Sequence, residues 1–259
     1  MHAMHPQQHR LRLYAVINAL LLMTSLLYGT RGVAIQAVPT RAVDTSTPAR
    51  HALVAAAPFS LFPSFRPHYY PCKADPTHPI NTFETFPLNV SIFRAINNHR
   101  TVARDWFFTY YLWLGTGWVL LPVLFVTYRF RREKFWPLLL ALAIETLVVT
   151  ILKEVFHQPR PGSVFTDCTI LQPLYQASFP SGDVAMGFTI AWSLLRHERR
   201  WLQVIYLGYA MILMYERIYA GVHFPFDVVT GAVFGIVSAM VAVPLLREIT
   251  QIRKHSARY

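Results

Sequence analysis

The amino-acid sequence predicts an all-α fold, an integral membrane bundle of six helices. Of the 259 residues, 54% are hydrophobic and only 14% are charged, whereas soluble domains usually carry about a quarter charged residues. The second observation is a series of six apolar runs, of which the fourth and fifth need flanking residues to reach the roughly 17 to 25 that cross a bilayer. The runs are Leu11–Tyr28, Trp106–Tyr128, Phe135–Leu152, Val184–Leu195, Trp201–Tyr215 and Val228–Leu246.

The positions of the basic residues support the count of six. Clusters follow the second, fourth and sixth runs, as "RFRREK", "RHERR" and "REITQIRKHSAR", and Arg10 and Arg12 precede the first. All four fall on one side of a six-helix topology, which is the positive-inside pattern and predicts cytoplasmic termini, with a basic tail over residues 247–259. This distribution explains the net charge of +11 without a nucleic-acid partner.

The first run has two interpretations. A basic start, an apolar core and the small-residue stretch "YGTRGVA" also describe a cleavable signal peptide. We predict a retained signal anchor over residues 1–30, because no convincing A-x-A site follows. Cleavage would leave the other five spans in place.

Residues 31–105 are predicted to form a loop on the non-cytoplasmic side. Its first half is rich in proline, which discourages regular structure, whereas Leu88–Arg104 has the apolar spacing of an amphipathic helix at the membrane interface. Cys72 lies in this loop and Cys168 in a later loop on the same side. A disulfide between them and two free thiols are equally compatible with the sequence.

Three segments on the predicted non-cytoplasmic face carry most of the chemically useful side chains. They are "KEVFHQPRPGS" from Lys153, "SFPSGDVAMGF" from Ser178 and "ERIYAGVHFPFDVVTG" from Glu216. The cations suited to a phosphate are Lys153, Arg160 and Arg217. Ser181 and Gly182 open a helix, where free backbone N–H groups favour an anion and glycine lets it approach closely.

The predicted nucleophile is a histidine, and an aspartate nearby in sequence is predicted to orient it. His223 and Asp227 are four residues apart at the start of the sixth run. An aspartate that fixes one imidazole nitrogen leaves the other free to attack. The set predicts covalent phosphoryl transfer with no metal and no other cofactor, because no acidic or His/Cys cluster has metal-ligand spacing.

Taken together, the three segments resemble the signatures of the type 2 phosphatidic acid phosphatase (PAP2) superfamily, K-x6-R-P, P-S-G-H and S-R-x5-H-x3-D. Here they read Lys153…Arg160-Pro161, Pro180-Ser181-Gly182-Asp183 and Glu216-Arg217…His223…Asp227. The resemblance covers a catalytic membrane domain over residues 106–246. It implies a six-helix bundle in which His223 is the nucleophile, Asp227 orients it, and the phosphate is bound by Lys153, Arg160, Arg217, Ser181 and Gly182.

Two positions depart from these signatures. Glu216 replaces a serine, a change expected to matter little. Asp183 replaces the histidine that in the family donates a proton to the leaving alcohol. A carboxylic acid with a raised pKa can do the same; the alternatives are that Asp183 only caps its helix, or that His157 donates instead.

The sequence therefore predicts a metal-independent membrane phosphatase acting on a lipid monophosphate or diphosphate at the non-cytoplasmic surface. A phosphotransferase that passes the phosphoryl group to a second lipid would use the same residues. A non-catalytic lipid-phosphate-binding protein is the third hypothesis, because the second signature lacks its histidine.

Overall fold

The computed structural model describes residues 67–74, 85–172 and 177–256. All described residues belong to one compact unit, within Leu61–Tyr259. The first predicted span, Leu11–Tyr28, lies outside the described residues.

The described part of the chain is mostly α-helical, which confirms the predicted fold class. Two 3₁₀ turns, Leu112–Gly115 and Gly117–Val119, connect α2 to α3. The elements in chain order are β1 (Tyr70–Pro71), α1 (Pro87–Asn97), α2 (Val102–Tyr111), α3 (Leu120–Phe130), α4 (Arg132–Phe156), α5 (Pro161–Val164), β2 (Thr169–Ile170), α6 (Gly182–Leu195), α7 (Arg200–Tyr219) and α8 (Pro225–Ser256).

Helix α6 lies at the centre and packs against α4, α7 and α8. Every residue from Val184 to Ala191 is buried. A helix enclosed on all sides has no face that needs polar residues, which explains its uniformly apolar sequence. Its 14 residues are too few to cross a bilayer unaided, but they are surrounded by longer helices.

Helices α6 and α8 approach closely because α8 carries glycines on the contact face. A Cβ atom on Gly231 would lie 2.5 Å from the Ser181 carbonyl oxygen, and one on Gly235 would overlap the Ala185 carbonyl. The sequence "GAVFG" is therefore a small-xxx-small contact of the kind that lets membrane helices pack backbone to backbone. This contact holds the start of α8 beside the start of α6.

The outer surface of the bundle is apolar, as expected of an integral membrane protein. Two helical stretches among the described residues, Arg132–Val164 and Pro225–Gln251, are long and apolar enough to cross a membrane. Large apolar side chains are exposed along both, including Leu147, Ile151, Val155, Val229, Val233, Val237 and Val241. Helix α8 continues to Ser256, well beyond the predicted end of the sixth run.

The second predicted span, Trp106–Tyr128, is not one straight helix. The stretches Val102–Gly115 and Gly117–Phe130 meet at a bend of 56°. At the break, Gly115 lies against the side chains of Leu213 and Arg217, and a Cβ atom there would overlap both. With this pair counted as one span, the described residues hold three long apolar spans, and the count of six stays a prediction.

The predicted amphipathic helix over Leu88–Arg104 is also divided. Helix α1 ends at Asn97, and Thr101 caps α2 by accepting a hydrogen bond from the Arg104 backbone N–H. The face of α1 that bears Asn89, Phe93 and Asn97 is buried against protein. Two of these three buried residues are asparagines, whereas a face that rests in lipid would be apolar.

A disulfide between Cys72 and Cys168 fastens the outer segment to the membrane domain. Their Cα atoms are 5.4 Å apart, and 96 positions separate them in sequence. The strands β1 and β2 pair beside the disulfide in an antiparallel ladder. In the chain-entropy model, closing so long a loop stabilises the fold by about 4 to 5 kcal/mol.

Candidate active site

His223 lies in the turn between α7 and α8, here called the site loop (residues 220–224). Gly221 in this loop has φ +75°, and a Cβ atom there would also overlap the Thr169 carbonyl oxygen, so the turn requires glycine. The His223 side chain is 2% exposed. Its Nδ1 lies 3.4 Å from Oδ2 of Asp227, in the first turn of α8.

The contacts of His223 indicate which ring nitrogen is free to attack. Arg160 Nη1 lies 3.3 Å from His223 Nε2. A guanidinium can only donate hydrogen bonds, so Nε2 accepts and carries a lone pair. The proton then resides on Nδ1, facing the Asp227 carboxylate. This tautomer presents a nucleophilic Nε2 beside a cation.

Burial, and then the positive charge of Arg160, lower the pKa of His223 to about 4, although the neighbouring Asp227 acts in the opposite direction. The imidazole is therefore neutral near pH 7. Only the neutral form has a lone pair with which to attack phosphorus. The site loop thus holds His223 in the protonation state that nucleophilic attack requires.

Ser178 completes the group around the histidine and was not predicted from the sequence. Its Oγ donates to Asp227 Oδ2 over 2.6 Å and lies 3.4 Å from His223 Nδ1. The Phe224 backbone N–H donates to the same Asp227 oxygen over 2.9 Å. The Asp227 carboxylate is thus fixed by two donors besides the histidine. The sequence offered only one sign of this role, the position of Ser178 two residues before the second signature.

The first signature reaches the same place from the ends of α4 and α5. Lys153 Nζ donates to the Ala177 carbonyl over 2.5 Å. Arg160 donates to the same carbonyl over 3.5 Å and to the Val222 carbonyl over 2.7 Å. Lys153 and Arg160 therefore lie together beside the site loop, as the sequence predicted.

The start of α6 lies beside the start of α8. The Ser181 backbone N–H donates to the Asp227 carbonyl over 3.1 Å. Ser181 Oγ is fully buried and, among the described residues, has no hydrogen-bond partner. A Cβ atom on Gly182 would lie 3.4 Å from Val149 Cγ1, an ordinary contact. Ser181 Oγ is thus available to a bound phosphate oxygen.

Arg217 is 1% exposed and contacts both residues that depart from the PAP2 signatures. Its Nη1 lies 3.0 Å from Asp183 Oδ2, and its Nε lies 2.9 Å from Glu216 Oε2. The expectation that Glu216 matters little stays a prediction, although its fully buried carboxyl group lies against the arginine. The helix-capping hypothesis for Asp183 is wrong: the N-cap is Ser181, and Asp183 lies in the first turn of α6.

The alternative proton donor, His157, does not join this group. Its side chain is 70% exposed and lies 3.6 Å from Glu154 at the end of α4. Within residues 67–74, 85–172 and 177–256, no three His, Cys, Asp or Glu side chains are placed to hold a metal ion.

Helix α1 holds both ends of the site loop, which the sequence also did not predict. Asn89 Oδ1 accepts from the Phe226 backbone N–H over 2.9 Å. Asn97 Nδ2 donates to the Tyr219 and Thr169 carbonyls, both over 2.9 Å, and its Oδ1 accepts from the Thr169 N–H over 3.0 Å. The two asparagines are eight residues apart, so they lie on one face of α1.

Comparison with known proteins gives one family-model match and a set of related phosphatases. The model described as PAP2 superfamily matches residues 134–251. An undecaprenyl-diphosphatase of Sulfolobus acidocaldarius is 27% identical over 150 residues, covering 57% of this chain and 73% of the relative.

Two solved structures resemble the fold. LpxE of Aquifex aeolicus is 48% identical with a TM-score of 0.61, and the match covers 62% of this chain and 98% of that protein. The first transmembrane PAP2-type phosphatidylglycerolphosphate phosphatase from Bacillus subtilis is 22% identical with a TM-score of 0.55, covering 65% and 90%. The second likeness concerns the fold alone.

Proposed function

This chain belongs to the PAP2 superfamily, and from that premise we propose that it removes phosphate from a membrane lipid through a phosphohistidine on His223. It is an integral membrane phosphatase, a hydrolase of phosphate esters. The geometry of His223 carries the proposal: Nδ1 faces Asp227 and Nε2 faces Arg160.

The proposed reaction begins with the lipid phosphate bound by the cations of the first and third signatures. Lys153, Arg160 and Arg217 neutralise its charge, and Ser181 Oγ donates to one phosphate oxygen. The Nε2 lone pair of His223 attacks phosphorus and the bond to the lipid oxygen breaks. The positive charge that develops on the imidazole is stabilised by Asp227. Water then attacks the phosphohistidine and releases phosphate.

The curated relative named above is an undecaprenyl-diphosphatase, which makes a polyprenyl diphosphate the first substrate to test. A lipid monophosphate is the necessary comparison, because its alkoxide leaving group needs a proton and a phosphate leaving group does not. Release of inorganic phosphate without an acceptor lipid identifies a phosphatase. Release only when an acceptor lipid is added would identify a phosphotransferase.

Substitution of the nucleophile tests the proposal. We expect His223→Ala to lower kcat by at least about 10³-fold and to abolish an acid-labile, alkali-stable radioactive label transferred from substrate phosphate. His99→Ala is the matched control, since His99 is exposed and its imidazole lies 2.7 Å from the Ala95 carbonyl oxygen in α1, away from His223 and its partners. A His223→Ala protein that keeps either the label or the activity would contradict the assignment.

A further inference from the structure

The two acidic departures from the PAP2 signatures meet on one guanidinium. Asp183 contacts Nη1 of Arg217 and Glu216 contacts Nε, at 3.0 and 2.9 Å. In the signatures these two positions hold a histidine and a serine, neither of which brings a fixed negative charge to the arginine. In this chain the arginine meets substrate with two carboxylates already in place.

The two carboxylates differ in their access to the outside. Glu216 is fully buried, whereas the Asp183 side chain is 27% exposed. Glu216 is therefore a fixed interior partner, whereas Asp183 is a partly exposed partner on Nη1, an atom that Gln172 Oε1 also contacts at 3.4 Å. A phosphate that binds Nη1 must displace the Asp183 oxygen or share the donor with it.

Other acidic groups act on Asp183 besides its cation. The carboxyl groups of Glu216 on α7 and Glu145 on α4 and the hydroxyl of Tyr209 on α7 interact with it electrostatically, and Arg217 is the cation it contacts. Once a phosphate dianion occupies that cation, the carboxylate has lost its favourable partner and gained an anionic neighbour. Both changes favour its protonated form.

From this arrangement, and resting on the proposed function, we propose that Asp183 and the substrate phosphate compete for Arg217, and that each phosphate bound brings one proton onto Asp183. The protonated side chain then donates to the lipid oxygen as the phosphorus–oxygen bond breaks. Asp183 thus becomes an acid only when substrate is present.

The proton count balances through the cycle. Binding takes one proton from solvent onto Asp183. As His223 Nε2 attacks phosphorus, Asp183 transfers this proton to the departing lipid alcohol. In the second step the Asp183 carboxylate removes a proton from the attacking water, whose oxygen bonds to phosphorus as the nitrogen–phosphorus bond breaks. When phosphate leaves, Asp183 loses this proton and returns to Arg217.

Calorimetry with a phosphate mimic tests the coupling without requiring turnover. Tungstate is a tetrahedral dianion that does not itself titrate near neutral pH, so any proton taken up belongs to the protein. The experiment is a calorimetric titration of the full chain, in detergent micelles, with tungstate. The difference in binding enthalpy between two buffers of different ionisation enthalpy gives the number of protons taken up. Wild type should take up about one proton more per tungstate than Asp183→Asn does, because any uptake by His223 is common to both proteins.

The variants also separate competition from simple loss of a contact. Asp183→Asn should bind tungstate about three- to fivefold more tightly, because the competing ion pair is gone. Asp167→Asn removes a carboxylate from an exposed pair with Arg94 and should leave uptake and affinity unchanged. Asp183→Ser replaces Asp183→Asn if that protein does not fold.

Equal proton uptake by wild type and the Asp183 variant, or weaker tungstate binding by the variant, would overturn the inference. Absence of uptake in wild type would do the same. If no lipid phosphate is hydrolysed but the coupling to Asp183 is found, the proposed function and the acid role fail, and the competition for Arg217 stands. Hydrolysis without the coupling would leave the function and remove the inference.

Discussion

At the scale of single residues, the proposed mechanism combines a neutral nucleophile, His223, with an acid, Asp183, whose protonation depends on the bound ligand. His223 has a lone pair on Nε2 because Arg160 donates to that atom. Asp183 instead forms an ion pair with Arg217. In the proposed cycle the two groups become ready by different means, burial for His223 and displacement from Arg217 for Asp183.

Asp183 should matter more for some leaving groups than for others. We expect Asp183→Asn to lower kcat on a lipid monophosphate by about 10² to 10⁴, the usual contribution of general acid catalysis, and to affect a lipid diphosphate far less. A departing phosphate ester is a stable anion, whereas an alkoxide must be protonated. Asp183→His, which restores the family's acid, should recover the monophosphate activity.

The measurement is the rate of phosphate release from two lipids that share one chain. Equal losses of kcat on both substrates in Asp183→Asn would show that residue 183 is not the acid. In that case the proton would come from water, and the exposed His157 would remain outside the site.

At the scale of elements, α1 is a second support for the site loop. Its face presents Asn89, Phe93 and Asn97 at intervals of one turn. Asn89 binds the Phe226 N–H, and the Phe93 ring lies 5.6 Å from that of Phe224. A loop held at three points has little freedom to move His223 away from Asp227.

Loss of one asparagine should therefore affect chemistry more than substrate binding. We expect Asn97→Ala to lower kcat by about 10- to 100-fold, the cost of a small misplacement of a reacting group, with a smaller change in KM. Asn98→Ala is the matched control, because Asn98 is the exposed next residue. A rise in KM with kcat unchanged, or equal effects of the two substitutions, would contradict this role for α1.

The residues of the three signatures were predictable from the sequence, whereas the α1 residues that hold the site loop were not. Lys153, Arg160 and His223 lie at helix ends, where fixed spacing in the chain translates directly into fixed placement. Asn97 acts through partners more than 70 positions away in sequence. Its amphipathic spacing has the same appearance whether the helix rests on lipid or on protein.

The bend at Gly115 and the contact of Glu216 with Arg217 escaped prediction for a similar reason. Both residues lie against Arg217, Gly115 at the end of the first 3₁₀ turn and Glu216 on the same helix as the arginine. A glycine in an apolar run and a glutamate in place of a serine carry no local sign of a shared partner. Only the packing of α7 against the bent segment brings them together.

At the scale of the whole molecule, the two ends of α4 differ in chemistry. At its start, Lys134 Nζ contacts Glu198 over 2.6 Å, and Arg131 lies 3.4 Å from the same residue. Lys153, in its last turn, belongs to the site. The basic clusters after the second and fourth runs therefore lie at the end of the bundle opposite the site.

Cysteine labelling should place these two ends on opposite sides of the membrane. We expect Glu154→Cys to react with a membrane-impermeant maleimide in intact cells, and Arg199→Cys only after permeabilisation. Both positions are exposed, unlike Pro161 and Gly221 nearer the site. The native cysteines are joined in the disulfide and do not react. Reaction of both variants from the same side would refute the proposed cytoplasmic termini.

The disulfide also has a consequence for biosynthesis. Cys72 and Cys168 are both translated before Ser178, so the covalent ring that they close contains Lys153 and Arg160 but none of the later site residues. The ring can form on a nascent chain whose segment carrying both cysteines has reached an oxidising compartment before α8 has packed against α6. Export of the first half would then precede completion of the catalytic centre, and newly made chains would gain activity only outside the reducing cytosol.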